Sequence, residues 1–192
     1  SSMENRSRLL HFANTDLRPL VERVIENLIP KIEERSAEIV LDWAEDARFA
    51  EIDPSRIEQV CTNLLLNALQ HGEVPALKIH LAAKRVGESI QLTFSDNGPG
   101  IPPVVLPKIF EPYFTTKGPR QGTGLGLAVV HGIMRTHQGS VGVKSTPGKG
   151  SIFTLTAPKP TSDTDARRMA VMPPKKPRRV LPLDKSAPMA RR

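Results

Sequence analysis

The chain has 192 residues, 39% of them hydrophobic, with a net charge of +7 and a single cysteine, enough for one domain with a sizeable core and an appendage. Cys61 alone excludes an internal disulfide, and it reads as a buried structural thiol. No apolar run reaches the roughly 20 residues that span a bilayer, and no signal-peptide pattern is present, so this segment is expected to be cytoplasmic and without membrane contact, whatever anchors the parent protein.

The charge is unevenly placed. Residues 161–192 hold nine Lys/Arg against Asp163, Asp165 and Asp184, which leaves 18 Lys/Arg and 17 Asp/Glu in the preceding 160. The near-neutral body is not expected to bind nucleic acid. The basic segment contains Pro173, Pro174, Pro177, Pro182 and Pro188 without sustained periodicity, so 159–192 reads as a disordered tail or linker. Arg179-Val180-Leu181-Pro182 has a strand-like wording, but Pro182 would spoil a buried strand and the linker reading is preferred.

Residues 1–14 read as a cloning remnant, Ser1-Ser2-Met3, followed by the end of a preceding helix over Arg6–Phe12. From Asp16 to about Arg35, Leu17, Leu20, Val21, Val24, Ile25, Leu28 and Ile32 form one helical face, with Thr15 or Asp16 as cap and Pro30 as a kink or stop. Glu38–Trp43 and Arg48–Ile52 read as short strands joined by a polar turn at Glu45-Asp46. Asp53-Pro54 is a cap followed by a first-turn proline, and it opens a helix that runs to Gly72. Leu77–Ala83 and Ser89–Ser95 pair across Val86-Gly87-Glu88. The stretch from Pro102 to Thr123 is a long punctuated loop. Gly124–His137 regains helical spacing, and the strands Ser140–Thr146 and Ser151–Ala157 close the domain.

On the helix from Asp53, Ile57, Val60, Cys61, Leu64, Leu65 and Ala68 make the apolar stripe, while Gln59, Asn63 and Asn67 repeat at spacing four on another face. Asparagine is a poor interior helix former, so two on one face suggest a task for their oxygens, and neutral hard oxygens suit Mg²⁺. Three further signals accompany them: Asp96 at a strand end before Gly98 and Gly100, Phe110–Lys117 beside the long loop, and Gly122-Thr123-Gly124-Leu125-Gly126 opening a helix. Glycines at a helix start let backbone N–H groups approach phosphate. Neither the dinucleotide fingerprint nor a Walker A loop fits, because Leu127 stands where a third glycine belongs and Lys149 is followed by Gly150.

These pieces, in this order, resemble the ATP-binding catalytic domain of bacterial sensor histidine kinases, within the class that includes gyrase, Hsp90 and MutL. Asn63-Leu64-Leu65-Leu66-Asn67-Ala68 resembles the N box and Asp96-Asn97-Gly98-Pro99-Gly100-Ile101 the G1 box. Ile109-Phe110-Glu111-Pro112-Tyr113-Phe114-Thr115-Thr116-Lys117 resembles the F box, and Gly122-Thr123-Gly124-Leu125-Gly126-Leu127 the G2 box. The resemblance implies a two-layer α/β sandwich of the Bergerat type over 15–158, with a mixed, mainly antiparallel sheet and about three helices on one face. It implies ATP and Mg²⁺ as ligands, with Asn67 on the metal and Asn63 beside it. Asp96 would accept from the adenine amino group, Gly98, Gly100 and Ile101 would border the base, and Ser151 would place a hydroxyl nearby. Phe110, Thr115 and Thr116 would flank a lid from Lys117 to Thr123. Lys117 and Arg120 would reach phosphate, and Gly122, Gly124 and Gly126, with Leu125 and Leu127, would form the closing turn.

Gyrase-like ATPases carry a glutamate base four residues before the metal-binding asparagine. Here that residue is Asn63, and a neutral amide cannot take a proton from water. The resemblance therefore implies phosphoryl transfer to a histidine in place of hydrolysis. None of His11, His71, His80, His131 and His137 stands in the family's phosphoacceptor wording, so the acceptor is expected on a separate dimerisation domain, with a response regulator as the next partner. Gln70 stands where many of these kinases have lysine, a wording shared with nitrogen-regulatory and hybrid types. The alternatives are an anti-sigma-type protein serine kinase and a nonenzymatic nucleotide-responsive adaptor.

Overall fold

The computed structural model describes residues 10–72, 74–116, 123–158 and 179–180. The elements in order are β1 (Ala13–Asp16), α1 (Leu17–Asn27), α2 (Ile29–Glu34), β2 (Glu38–Trp43), β3 (Phe49–Ile52), α3 (Pro54–His71), β4 (Lys78–Val86), β5 (Ser89–Asp96), α4 (Gly126–Thr136), β6 (Ser140–Thr146), β7 (Gly150–Pro158) and β8 (Arg179–Val180). Short 3₁₀ turns occupy Glu45–Ala47 and Leu106–Lys108.

Six strands form one sheet in the order β6-β7-β5-β4-β2-β8, in which only β2 and β4 run parallel. Alternation within the strands puts one residue in two on the covered face. The register aligns Leu41, Leu81, Phe94, Phe153 and Val143 into one row across that face, and Trp43, Ala83, Leu92, Leu155 and Val141 into the next. The buried stripes of α1, α3 and α4 join the same core. The architecture is therefore the expected two-layer sandwich. Burial pushes the Cys61 thiol up to about 12, so it remains an uncharged packing group.

Local chemistry sets the helix ends as anticipated. Asp16 caps α1 by accepting the Arg18 N–H at 3.2 Å, and the same carboxylate is held by Arg48. The first helix stops at Asn27 and α2 begins around Pro30, whose ring belongs at a helix start. Asp53 accepts the Arg56 N–H at 3.1 Å to cap α3.

Three regions differ from the sequence expectation. Leu10–Phe12 are not helical, and the next four residues are β1; Arg6–Leu9 lie outside the described residues. β3 does not turn back on β2 but pairs antiparallel with β1 in a separate two-stranded sheet, leaving β2 to run parallel to β4. Within the segment read as a linker, Arg179 and Val180 pair antiparallel with Leu41 and Val40 on the edge of β2, a strand that ends before Pro182. The remainder of 159–192 lies outside the described residues. Among the described residues no helix is long and apolar enough to cross a membrane.

Candidate nucleotide site

One cavity of about 340 Å³ opens between α3, the end of β5 and the loop before α4. From α3 it receives Asn63, Asn67, Gln70 and His71. From the segment after β5 come Asp96, Gly100 and Ile101, and from the two sides of the long loop Thr115, Thr116, Thr123, Gly124, Gly126 and Leu127. Ser151 at the start of β7 closes its floor.

The structure thus gathers twelve of the sequence-predicted residues around one space. Three described ones fall outside its wall. Gly98 sits behind Asp96, where its N–H donates to Oδ1 at 2.8 Å. Phe110 packs against the core with its ring 5.6 Å from that of His131 on α4, and Leu125 is exposed at the loop end. Lys117, Arg120 and Gly122 lie outside the described residues. Residues that the sequence reading did not select also line the cavity: Leu66 and Ala68 on α3, Pro99, Pro102, Val105, Ile109 and Phe114. All are apolar; Ala68 reads from its periodicity as core, and the loop residues carry no periodic signal, so nothing in the sequence shows that they line a cavity.

Among the described residues Asp96 is the one carboxylate in the wall. Burial pushes its pKa up, while the N–H groups of Gly98 and Ser151 pull the other way by bonding the charged form. A carboxylate so placed presents acceptors to an apolar slot flanked by Ile101 and Ile109.

The loop after Asp96 is held by close backbone approach. Gly100 has φ +73°, and a Cβ there would stand 2.2 Å from the Thr146 carbonyl oxygen, so the position admits only glycine. Pro99 accepts the Gly148 N–H at 2.7 Å, which ties the loop to the β6–β7 turn. At the other rim the Tyr113 N–H donates to the Gly124 carbonyl at 2.9 Å, joining the two ends of the long loop. Both residues are left-handed, at φ 64° and 63°, and a Cβ on Gly124 would meet the Tyr113 backbone at 2.4 Å.

The two asparagines of α3 differ in their surroundings. Asn63 donates from Nδ2 to the Gly126 carbonyl at 3.3 Å, bracing the first turn of α4. Asn67 lines the same cavity one turn later. Among the described residues no group of three or more His, Cys, Asp or Glu side chains could hold a metal by itself, so any cation here would need ligands beyond such a cluster.

This geometry is that of a two-layer α/β sandwich with one cavity beside the end of β5, and comparison with known proteins places it more narrowly. Residues 52–161 match the family model described as histidine kinase-, DNA gyrase B-, and HSP90-like ATPase, and the chain belongs to that family. It is 36% identical over 149 residues to the alginate biosynthesis sensor protein KinB of Pseudomonas aeruginosa, covering 78% of this chain and 25% of that protein. It is 45% identical over 129 residues to the sensor histidine kinase ZraS of Escherichia coli (strain K12), covering 64% of this chain and 26% of ZraS. The chain therefore spans about a quarter of the length of these relatives. Among solved structures, the catalytic domain of the histidine kinase ThkA superposes with a TM-score of 0.70 at 31% identity, covering 78% of this chain and 97% of that one. Full-length ShkA in complex with AMPPNP superposes with a TM-score of 0.72 at 29% identity, covering 80% of this chain and 32% of ShkA.

Proposed function

We propose that this chain is the catalytic domain of a two-component sensor histidine kinase, binding Mg-ATP in the cavity between α3 and the loop before α4. The observation that carries the reading is the convergence of Asn67, Asp96, Gly100 and Gly124 on one cavity from three separate segments, α3, the end of β5 with the loop after it, and the loop before α4. The AMPPNP bound by ShkA and the sensor-kinase names of the relatives support it.

In this reading the adenine ring lies against Ile101 with its amino group toward Asp96, and the phosphates lie toward Asn67 and Thr123-Gly124. The Mg²⁺ ion would neutralise developing charge on the phosphates. An amide oxygen of Asn67 fits it as a neutral hard ligand, with the phosphates and water supplying the rest. The γ-phosphorus–oxygen bond breaks, ADP departs with the bridging oxygen, and a nitrogen–phosphorus bond forms on a histidine of a separate dimerisation domain. The imidazole proton passes to a base of that domain. Asn63 supplies no base, which favours transfer over hydrolysis. A response regulator would then receive the phosphoryl group.

The reading is tested by supplying a dimerisation domain in trans with radiolabelled ATP. Acid-labile, base-stable phosphate on that domain is the expected result. Acid-stable phosphate on a protein serine would replace it with the anti-sigma type of kinase, and ATP binding without transfer to any protein would leave a nucleotide-responsive adaptor.

A further inference from the structure

Ser145 of β6 stands outside the cavity wall, yet its hydroxyl contacts two residues that line it, Ile101 and Ser151, as well as Gly150 beside them. Its Oγ lies 2.9 Å from the Gly150 carbonyl oxygen, accepts the Ile101 N–H at 2.8 Å and contacts Ser151 Oγ at 3.0 Å. A hydroxyl has one proton and two lone pairs. With the proton on the Gly150 carbonyl and one lone pair taken by Ile101, the last contact is satisfied only if Ser151 donates to Ser145. Ser151 is 6% exposed, lines the cavity and stands opposite Asp96 across the β5–β7 ladder. Its backbone N–H already bonds the Asp96 carboxylate. Its one side-chain proton therefore points away from the cavity, and only lone pairs remain for a ligand.

We propose that Ser145 is a positioning residue that sets base selectivity: by taking the Ser151 proton it turns the floor of the cavity into two acceptors, Ser151 Oγ and the Asp96 carboxylate, which together favour a 6-aminopurine over a 6-oxopurine. This rests on the nucleotide-binding reading above. The exocyclic amino group of adenine carries two N–H donors, one for each acceptor. A 6-oxo group turns lone pairs toward both and leaves buried acceptors unpaired, which costs more than the loss of one bond. If Ser151 could rotate, it would donate to the 6-oxo group, and only Asp96 would discriminate.

The test is calorimetric titration of the full 192-residue chain with ATP and with inosine triphosphate, which replaces the 6-amino group by oxygen. Wild type should prefer ATP. Ser145→Ala frees the Ser151 hydroxyl and should lower the ATP-to-ITP affinity ratio on the order of five- to tenfold. Ser145→Thr, which keeps the hydroxyl, should retain the wild-type ratio. An unchanged ratio in Ser145→Ala, including equal weakening of both nucleotides, overturns the role of Ser145 while leaving ATP binding intact. A wild type without preference for ATP overturns the nucleotide reading and this inference together. If circular dichroism shows Ser145→Ala unfolded, Ser151→Ala decides: loss of the second acceptor should lower the ratio similarly, and an unchanged ratio overturns the inference.

Discussion

The Asn63 side chain donates to the Gly126 carbonyl at 3.3 Å across 63 residues of sequence, so α3 holds the first turn of α4 through the residue that stands in the place of a hydrolytic glutamate. Asn63→Ala removes this exposed bond and should destabilise the fold by about 0.5 kcal/mol, the low end for a hydrogen bond. The loss should be local. Amide exchange should quicken in the first turn of α4 more than in β4 and β5, and uniform quickening would contradict the bracing role.

A second long connection joins the two ends of the same helix pair. His137, 2% exposed, accepts the Asp53 N–H on Nε2 at 3.0 Å, while its Nδ1 lies 2.8 Å from the Ile133 carbonyl oxygen, which calls for the proton on Nδ1. His137→Phe keeps the volume but leaves a buried N–H without its partner, at a cost of about 1–3 kcal/mol. A lower urea midpoint with an unchanged m-value is the expected outcome.

Asp53 and Asp96 should bend the pH dependence of stability in opposite directions. For Asp53, burial raises the pKa, but the N–H groups of His11 and Arg56 outweigh it and the net shift is downward. Its contribution is present above the ordinary carboxylate range and is lost as pH falls through the depressed folded value. The stability gap between wild type and Asp53→Asn should therefore narrow toward acid; asparagine keeps an acceptor for the Arg56 N–H but turns an NH2 group toward the His11 N–H, so the charge and one bond are lost together. Asp96 is shifted upward by burial. The stability tied to its protonated form is present below the ordinary range and is lost as pH rises through the raised value. Asp96→Asn should be at least as stable as wild type at pH 7 while losing the preference for ATP. Urea midpoints between pH 3 and 7 check both signs.

On the proposed reading, Asn67 should differ from the other cavity residues in its dependence on the metal. Asn67→Ala should weaken ATP binding at least about tenfold when Mg²⁺ is present and alter it little when EDTA removes the ion. An equal loss under both conditions would mean that Asn67 contacts the nucleotide directly.

The parts of the molecule written in short-range chemistry were legible beforehand. Asp53-Pro54 states the start of α3, the spacing from Ile57 to Ala68 states its buried face, and Gly87 between alternating runs states the β4–β5 hairpin. The four boxes were legible for the same reason, since each packs its demands on backbone and side chain into a few consecutive residues. β1 was not. Ala13-Asn14-Thr15-Asp16 has no apolar alternation, and it is a strand because β3 pairs with it some 36 positions away.

What the sequence by itself determined, then, was the helices and strands that carry caps or periodic faces, and which side chains could serve a nucleotide. Tertiary structure alone decided which strand neighbours which, that apolar core residues such as Leu66 and Ile109 continue into the cavity wall, and where Ser145 and His137 spend their hydrogen bonds. The physical reason is range. Caps and periodic faces are set by neighbours within one or two turns, whereas a serine hydroxyl 44 residues from Ile101 and an imidazole 84 residues from Asp53 acquire their partners only when the sheet and helices have packed.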